Sequence, residues 1–322
     1  MRAALMWTIS DFPAYSMLSG WSTAGRLACT YCMENSDAFT LTNGGKQSWF
    51  DNHRKFLPLN HPYRKDKSSF RKNRVVTMQP TPFRSGEDVL KEIEELGLKK
   101  VTKLGADIIN RRISRFSGWK KRSIFWDLPY WSTNLIRHNL DVMHIENNFF
   151  ENVFNTVLDV DGKTKDNPKS IEDLKDFCRR PELHAVDGKY PKAIYTLKEE
   201  SKKLFSEWVK NLKFPVGCLK YGKVCGHDKT QVIWYEKSRL SCIHQRLVPI
   251  AFRELLPKKV WEALTEMSLF FRDVTSTVIH EEDMVRLQQQ IPEILCKLER
   301  VSLLASLIQW SISLCISLMK QC

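Results

Sequence analysis

Two stretches decide the fold reading, MWTISDFP (6–13) and HNLDVMHIENNFFENVFNTVLDV (138–160). In the first, an apolar run from Ala3 to Ile9 meets Asp11 and Pro13, the pattern of a short strand that breaks into a turn. In the second, Ile145, Phe149, Val153 and Val157 recur at near-helical intervals, so a helix buries that face and polar residues gather at its start. Asp11 at a strand end, with Asp141 and Glu146 beside the helix start, are carboxylates of the kind that converge on paired Mg2+ ions for in-line phosphoryl transfer. A strand-end aspartate serves equally as a cap or a turn residue.

Working outward, SGEDVLKEIEELG (85–97) reads as an amphipathic helix, with acids in its first turn, Val89, Ile93 and Leu96 on one face and Gly97 as a stop. IFWDLPY (124–130) reads as a strand ending near Pro129. Thr196 and Glu199 form a capping-box pattern ahead of a helix over 197–212, and a further helix runs over 258–271. HEEDMVRLQQQIPEILCKLER (280–300) is amphipathic, and Pro292 is expected to kink or split it near Gln290.

Charge is concentrated rather than spread. Residues 53–74 hold Arg54, Lys55, Arg64, Lys65, Lys67, Arg71, Lys72 and Arg74 against a single acid, with Phe56, Tyr63 and Phe70 interleaved. A second run over 111–122 includes Arg111, Arg112, Lys120, Lys121 and Arg122, with Phe116 and Trp119 nearby. Such runs suit a groove that tracks phosphates, and they also suit a solvated face. The chain as a whole has 50 Lys+Arg against 37 Asp+Glu, a formal charge of +13 that favours a polyanionic partner, with nucleic acid the first expectation. At 322 residues and 43% hydrophobic, it is long and apolar enough for one or two domains, which excludes wholesale disorder.

Nine cysteines, with only Cys29 and Cys32 closely spaced, argue against a secreted disulfide framework. The C-x-x-C pair can take two corners of a zinc tetrahedron, with His53 and His61, or His138 and His144, as the remaining ligands; two ordinary reduced thiols are the alternative. Cys218, Cys225, His227, Cys242 and His244 match no zinc spacing. The N-terminal dozen residues are too short for a signal peptide, so a cytosolic start is expected. Residues 301–319 carry no charge yet include Ser and Gln, so they read as a buried terminal helix or as a tail anchor barely long enough to span a bilayer.

The strings LMWTISDFPAYSMLSGWSTAGRLACTYC (5–32), WFDNHRKFLPLNHPYRK (49–65), KRSIFWDLPYW (121–131) and RHNLDVMHIENNFFENVFNTVLDVDGKTKDN (137–167) resemble plant CACTA-type (En/Spm-like) DNA transposases. LVPIAFRELLPKKVWEALTEMSLFFRDV (247–274) resembles the plant domain of unknown function that trails that core. The resemblance implies a partial α/β RNase H-like core over 1–165 with a basic and zinc-binding insertion, an irregular connection over 166–250, a mainly α-helical region over 251–300 and a divergent tail over 301–322. It implies Mg2+ or Mn2+ for catalysis, a structural Zn2+, transposon-end DNA as partner and a nuclear location. Asp11 matches the second catalytic carboxylate, Glu146 the third with Asp141 as rival, and Cys29, Cys32, His138 and His144 the inserted metal ligands. The first carboxylate of the family pattern is absent, and residues 214–245 depart from it, so the chain is expected to be inactive alone while retaining DNA binding. The rival expectations are a non-enzymatic interaction protein that self-associates through helices in 197–300, and a tail-anchored membrane protein, with membrane the less favoured partner.

Overall fold

Asp11 turns strand into helix. Strand β1 (Thr8–Ser10) ends at Asp11, whose extended backbone and side chain cap helix α1 (Phe12–Ser19), the carboxylate accepting from the Ala14 N–H at 2.8 Å. Pro13 occupies the first turn, where its missing N–H costs nothing. The helix stops at Gly20, which takes the left-handed conformation (φ 84°) and donates its N–H to the Ser16 carbonyl. A Cβ at Gly20 would lie 2.2 Å from the Lys121 carbonyl oxygen, and Lys120 donates its own N–H back to Gly20. Gly20→Ala is therefore expected to lose about 1–3 kcal/mol of stability, read as a lowered denaturation midpoint; a variant as stable as the parent would show that this junction is soft.

These facts come from a computed structural model that describes residues 3–40, 47–48, 52–70, 74–101, 117–164, 192–211 and 243–301, with positions 43, 113, 169 and 172. After α1 come the short antiparallel pair β2 (Phe39–Thr40) and β3 (Gln47–Ser48), a 3-10 turn over His53–Phe56, helix α2 (Pro62–Lys65) and helix α3 (Gly86–Glu95). Two more 3-10 turns, Ile124–Asp127 and Trp131–Thr133, lead to β4 (His138–Leu140) and α4 (Val142–Val157). Helix α5 (Glu199–Asn211), a π-helical turn over Ile243–Leu247, α6 (Val248–Ala251), α7 (Lys258–Val274) and α8 (Glu281–Val301) follow.

The reading of 85–97 is met in full: α3 carries the reciprocal Ser85–Asp88 capping box and buries Val89 and Ile93. Helices α5 and α7 lie where the sequence places them, and so does α4 with its buried Ile145, Phe149, Val153 and Val157. Two expectations are corrected. Residues 124–130 form no strand; Ser123 accepts from the Phe125 N–H and winds Ile124–Asp127 into a 3-10 turn. Of the kink or split expected at Pro292, the split does not occur: helix α8 runs continuously through it, with Ile291, Ile294, Leu295 and Leu298 buried.

β1 and β4 pair in parallel, Thr8 against His138, Ile9 against Asn139 and Ser10 against Leu140. The largest apolar core joins α1 and α4 to α5, α7 and α8, so the helices of 251–300 share one interior with Leu140 of β4. A second cluster gathers Trp21, Trp119, Trp126 and Trp131 around α3, with Trp21 and Trp119 edge to face at 5.1 Å. Among the described residues no helix is long and apolar enough to cross a membrane; residues 302–319 lie outside them.

Candidate functional site: two strand-end carboxylates and a basic insertion

The parallel register carries one step past the strands. Because Ser10 pairs with Leu140 and the Asp141 N–H donates to the Ser10 carbonyl at 2.9 Å, Asp11 and Asp141 stand side by side at the carboxyl ends of adjacent strands, about 4.8 Å apart by strand spacing. Each caps the helix that follows: Asp11 Oδ1 accepts from Ala14, and Asp141 Oδ1 from Met143 (2.9 Å) and His144 (3.2 Å). Both remain half-exposed. Glu146, one turn further along α4, is fully buried; its Oε2 accepts from Gln245 Nε2 at 3.2 Å, and the His244 ring lies 3.8 Å from its Oε1. The backbone register thus places Asp11 and Asp141, rather than Asp11 and Glu146, at neighbouring positions.

Zinc fits less well. Cys29 and Cys32 are buried on one turn, and three of the four expected histidines hold other partners through their rings. His138 Nδ1 hydrogen-bonds the Thr8 hydroxyl at 2.7 Å, His61 caps α2 through the Tyr63 N–H, and His53 pairs with Glu299 at 2.7 Å. His144 follows the Asp141 cap and meets that carboxylate through its backbone N–H, not its ring. Among the described residues no three His, Cys, Asp or Glu side chains gather into a metal-holding group. The Cys29 thiol is pushed up by burial, whereas the hydrogen bond from Cys29, with help from the Lys55 ammonium and Thr81, brings Cys32 down to about 6.

The basic insertion divides into a buried part and an exposed part. Arg64, 1% exposed, donates through Nε to the Leu57 carbonyl (2.9 Å), through Nη1 to Val76 and Met78 (3.0 Å each) and through Nη2 to Lys55 (2.6 Å). Arg54 Nη1 reaches the carbonyls of Tyr63, Asp66 and Arg74, and its guanidinium lies over Phe70 at 4.4 Å. Lys55 pairs with Asp37 at 2.9 Å. These three hold together an irregular loop whose carbonyls have no ladder to join, and they are turned away from any phosphate chain. Phe70 and Trp119 are buried as well, so neither offers a stacking face. Lys65, Lys67, Arg74 and Lys120 remain exposed. Lys121 is half-exposed, and Arg122 is drawn to Asp127 at 2.6 Å. Arg71, Lys72, Arg111, Arg112 and Phe116 lie outside the described residues, as do Cys218, Cys225, His227 and Cys242.

The insertion is latched to helix α8. Burial opposes the charge of His53, but the Glu299 carboxylate and the Cys296 sulfur outweigh it and raise His53 to about 10. A group raised above its unfolded value near 6.5 stabilises fully below that value and loses its contribution as pH climbs through 10. Stability is therefore expected to fall by on the order of 2–4 kcal/mol between pH 6.5 and 10. Glu299→Gln should lower stability at pH 7 and flatten that slope, measured by urea unfolding across pH; an unchanged slope would remove His53 as its source. Sequence reasoning missed this pair because 246 positions separate its members, and it missed Arg64 because composition cannot tell an inward guanidinium from an outward one.

In comparisons with known proteins, residues 1–96 match the family model described as transposase family tnp2. The matched segment takes in Asp11, the C-x-x-C turn, the insertion and α3. No curated protein and no solved structure matches the chain.

Proposed function

We propose, for a chain whose first 96 residues are transposase-related, that it is a CACTA-type transposon derivative acting on DNA in the nucleus. The observation that carries this reading is the placement of Asp11 and Asp141 at neighbouring strand ends, Asp11 lying inside the matched segment. A divalent ion bound there would supply charge neutralisation at a reacting phosphate. The chain's own part is to hold two carboxylates rigid: each is fixed by the first N–H groups of the helix it caps, and the helix cores behind them are buried. Two carboxylates alone bind such an ion weakly, since relatives of the resembled family use three, so strand cleavage requires a further acidic residue and the isolated chain binds DNA without cutting it.

Contact with DNA falls to the exposed cations Lys65, Lys67 and Arg74, carried on the frame that Arg54 and Arg64 hold in place. Fluorescence anisotropy with a labelled duplex tests this. Affinity should fall steeply with added salt, and Lys65→Glu with Lys67→Glu should weaken it about tenfold or more and flatten the salt dependence. Undiminished affinity in that double variant, with its fold intact by circular dichroism, would overturn the reading.

A further inference from the structure

We propose that Ser68 is a phosphorylation site whose modification releases the basic insertion from DNA. The inference rests on the reading of Lys65, Lys67 and Arg74 as the DNA contacts and adds a control over them. Lys65 is the last residue of helix α2, and Asp66, the single acid of residues 53–74, follows it and begins a turn. Asp66 Oδ1 accepts from the backbone N–H groups of Ser68 and Ser69 and from the Ser68 hydroxyl, each at 3.0 Å. The one carboxylate of the run is thus engaged by its own turn, while Lys65, Lys67 and Ser68 are exposed.

The turn is pinned at both ends. The Asp66 carbonyl accepts from Arg54 Nη1 at 2.9 Å, and Phe70, 1% exposed, packs against the same guanidinium. Charge added at Ser68 therefore stays close to Lys65 and Lys67, since the connection is too short to carry it away. Ser69 is half-buried and less open to an incoming enzyme. Serine kinases that select by charge read cations ahead of the acceptor, and Lys65 and Lys67 stand three residues and one residue before Ser68. In the transfer the Ser68 oxygen attacks the γ-phosphorus of ATP, the bond from that phosphorus to the ADP oxygen breaks, and the hydroxyl proton passes to the kinase's base. The new group acts twice. Its charge of about −2 at pH 7 offsets the two lysines and repels DNA phosphates. It also takes away the hydroxyl proton that Asp66 accepts and sets a dianion beside that carboxylate, which weakens the turn that presents the lysines.

The test uses the full chain with phosphoserine encoded at position 68, beside the unmodified chain and a control with phosphoserine encoded at Ser276, an exposed residue beyond α7. Fluorescence anisotropy with a labelled duplex is read across salt. Phosphorylation at Ser68 should weaken binding about tenfold or more and lower the log–log salt slope by about 1–2, and phosphatase treatment should restore the parent affinity. The Ser276 control, with the same net charge, should bind nearly as the parent does. A serine kinase selective for upstream cations, supplied with ATP, should modify Ser68 in the folded chain, located by peptide mass spectrometry, and more slowly once Lys65→Ala and Lys67→Ala are combined. An unmodified chain that does not bind DNA at low salt would overturn the DNA reading, and the switch with it. Binding by the unmodified chain with equal affinity after phosphorylation at Ser68, or equal weakening by both phosphoserines, would overturn the switch alone. So would a loss that phosphatase does not reverse, or a Ser68 left unmodified in the folded chain under conditions that phosphorylate the unfolded one.

Discussion

Arg64→Ala is expected to lose about 3–5 kcal/mol of stability, enough to melt the insertion at ordinary temperature. The reason is geometric. One guanidinium satisfies carbonyls from Lys55, Leu57, Val76 and Met78, segments that share no strand or helix. Truncation leaves those acceptors buried and empty, each costing on the order of 1–3 kcal/mol before relaxation. Arg64→Lys should recover little, because an ammonium cannot present planar, forked donors to several directions. Urea unfolding gives the magnitude, and hydrogen exchange over 53–78 gives the location. Protection unchanged in both variants would show that the loop is held by something else.

The second large effect is expected at Phe271, which is fully buried where α7 meets α4 and lies 6.0 Å from Phe149 and 5.8 Å from Phe150, ring centre to ring centre. Phe271→Ala should cost about 3–5 kcal/mol, the usual range for emptying an aromatic site in a core. Because one apolar interior spans α1, α4, α5, α7 and α8, the loss should reach the strand pair as well as the helices. Tryptophan fluorescence, which reports the cluster of Trp21, Trp119 and Trp126, and far-ultraviolet circular dichroism should then move together. Two separated transitions would show that the helices beyond residue 251 unfold as a unit of their own.

Legibility of the chain follows the range of the interactions involved. Helix α3 was readable because its cap, period and stop are all within thirteen residues. Helix α4 was readable from its apolar period alone. Strand β4 was not, since three residues buried throughout show neither alternation nor length. The aromatic run at 124–131 carries a strand's composition but feeds the tryptophan cluster from 3-10 turns, a choice settled by Trp21 and α3 far away. The candidate site divides the same way. Asp11 was visible from the strand-to-helix break beside it, while its pairing with Asp141 rather than Glu146 depends on a register joining positions 130 residues apart. The basic insertion was visible as charge, yet which cations face water depended on where the carbonyls lie.

The latch between His53 and Glu299 has a consequence for synthesis. A ribosome makes the insertion long before α8, and Glu299 of the ion pair, the Arg300 guanidinium over Tyr63 and the buried Cys296 beside Leu57 and Phe70 all belong to α8. Until α8 leaves the exit tunnel, the emerging chain carries its insertion, with apolar Leu57 and Phe70, without the helix that covers it. Docking of α8 is therefore the step that covers this apolar surface during synthesis.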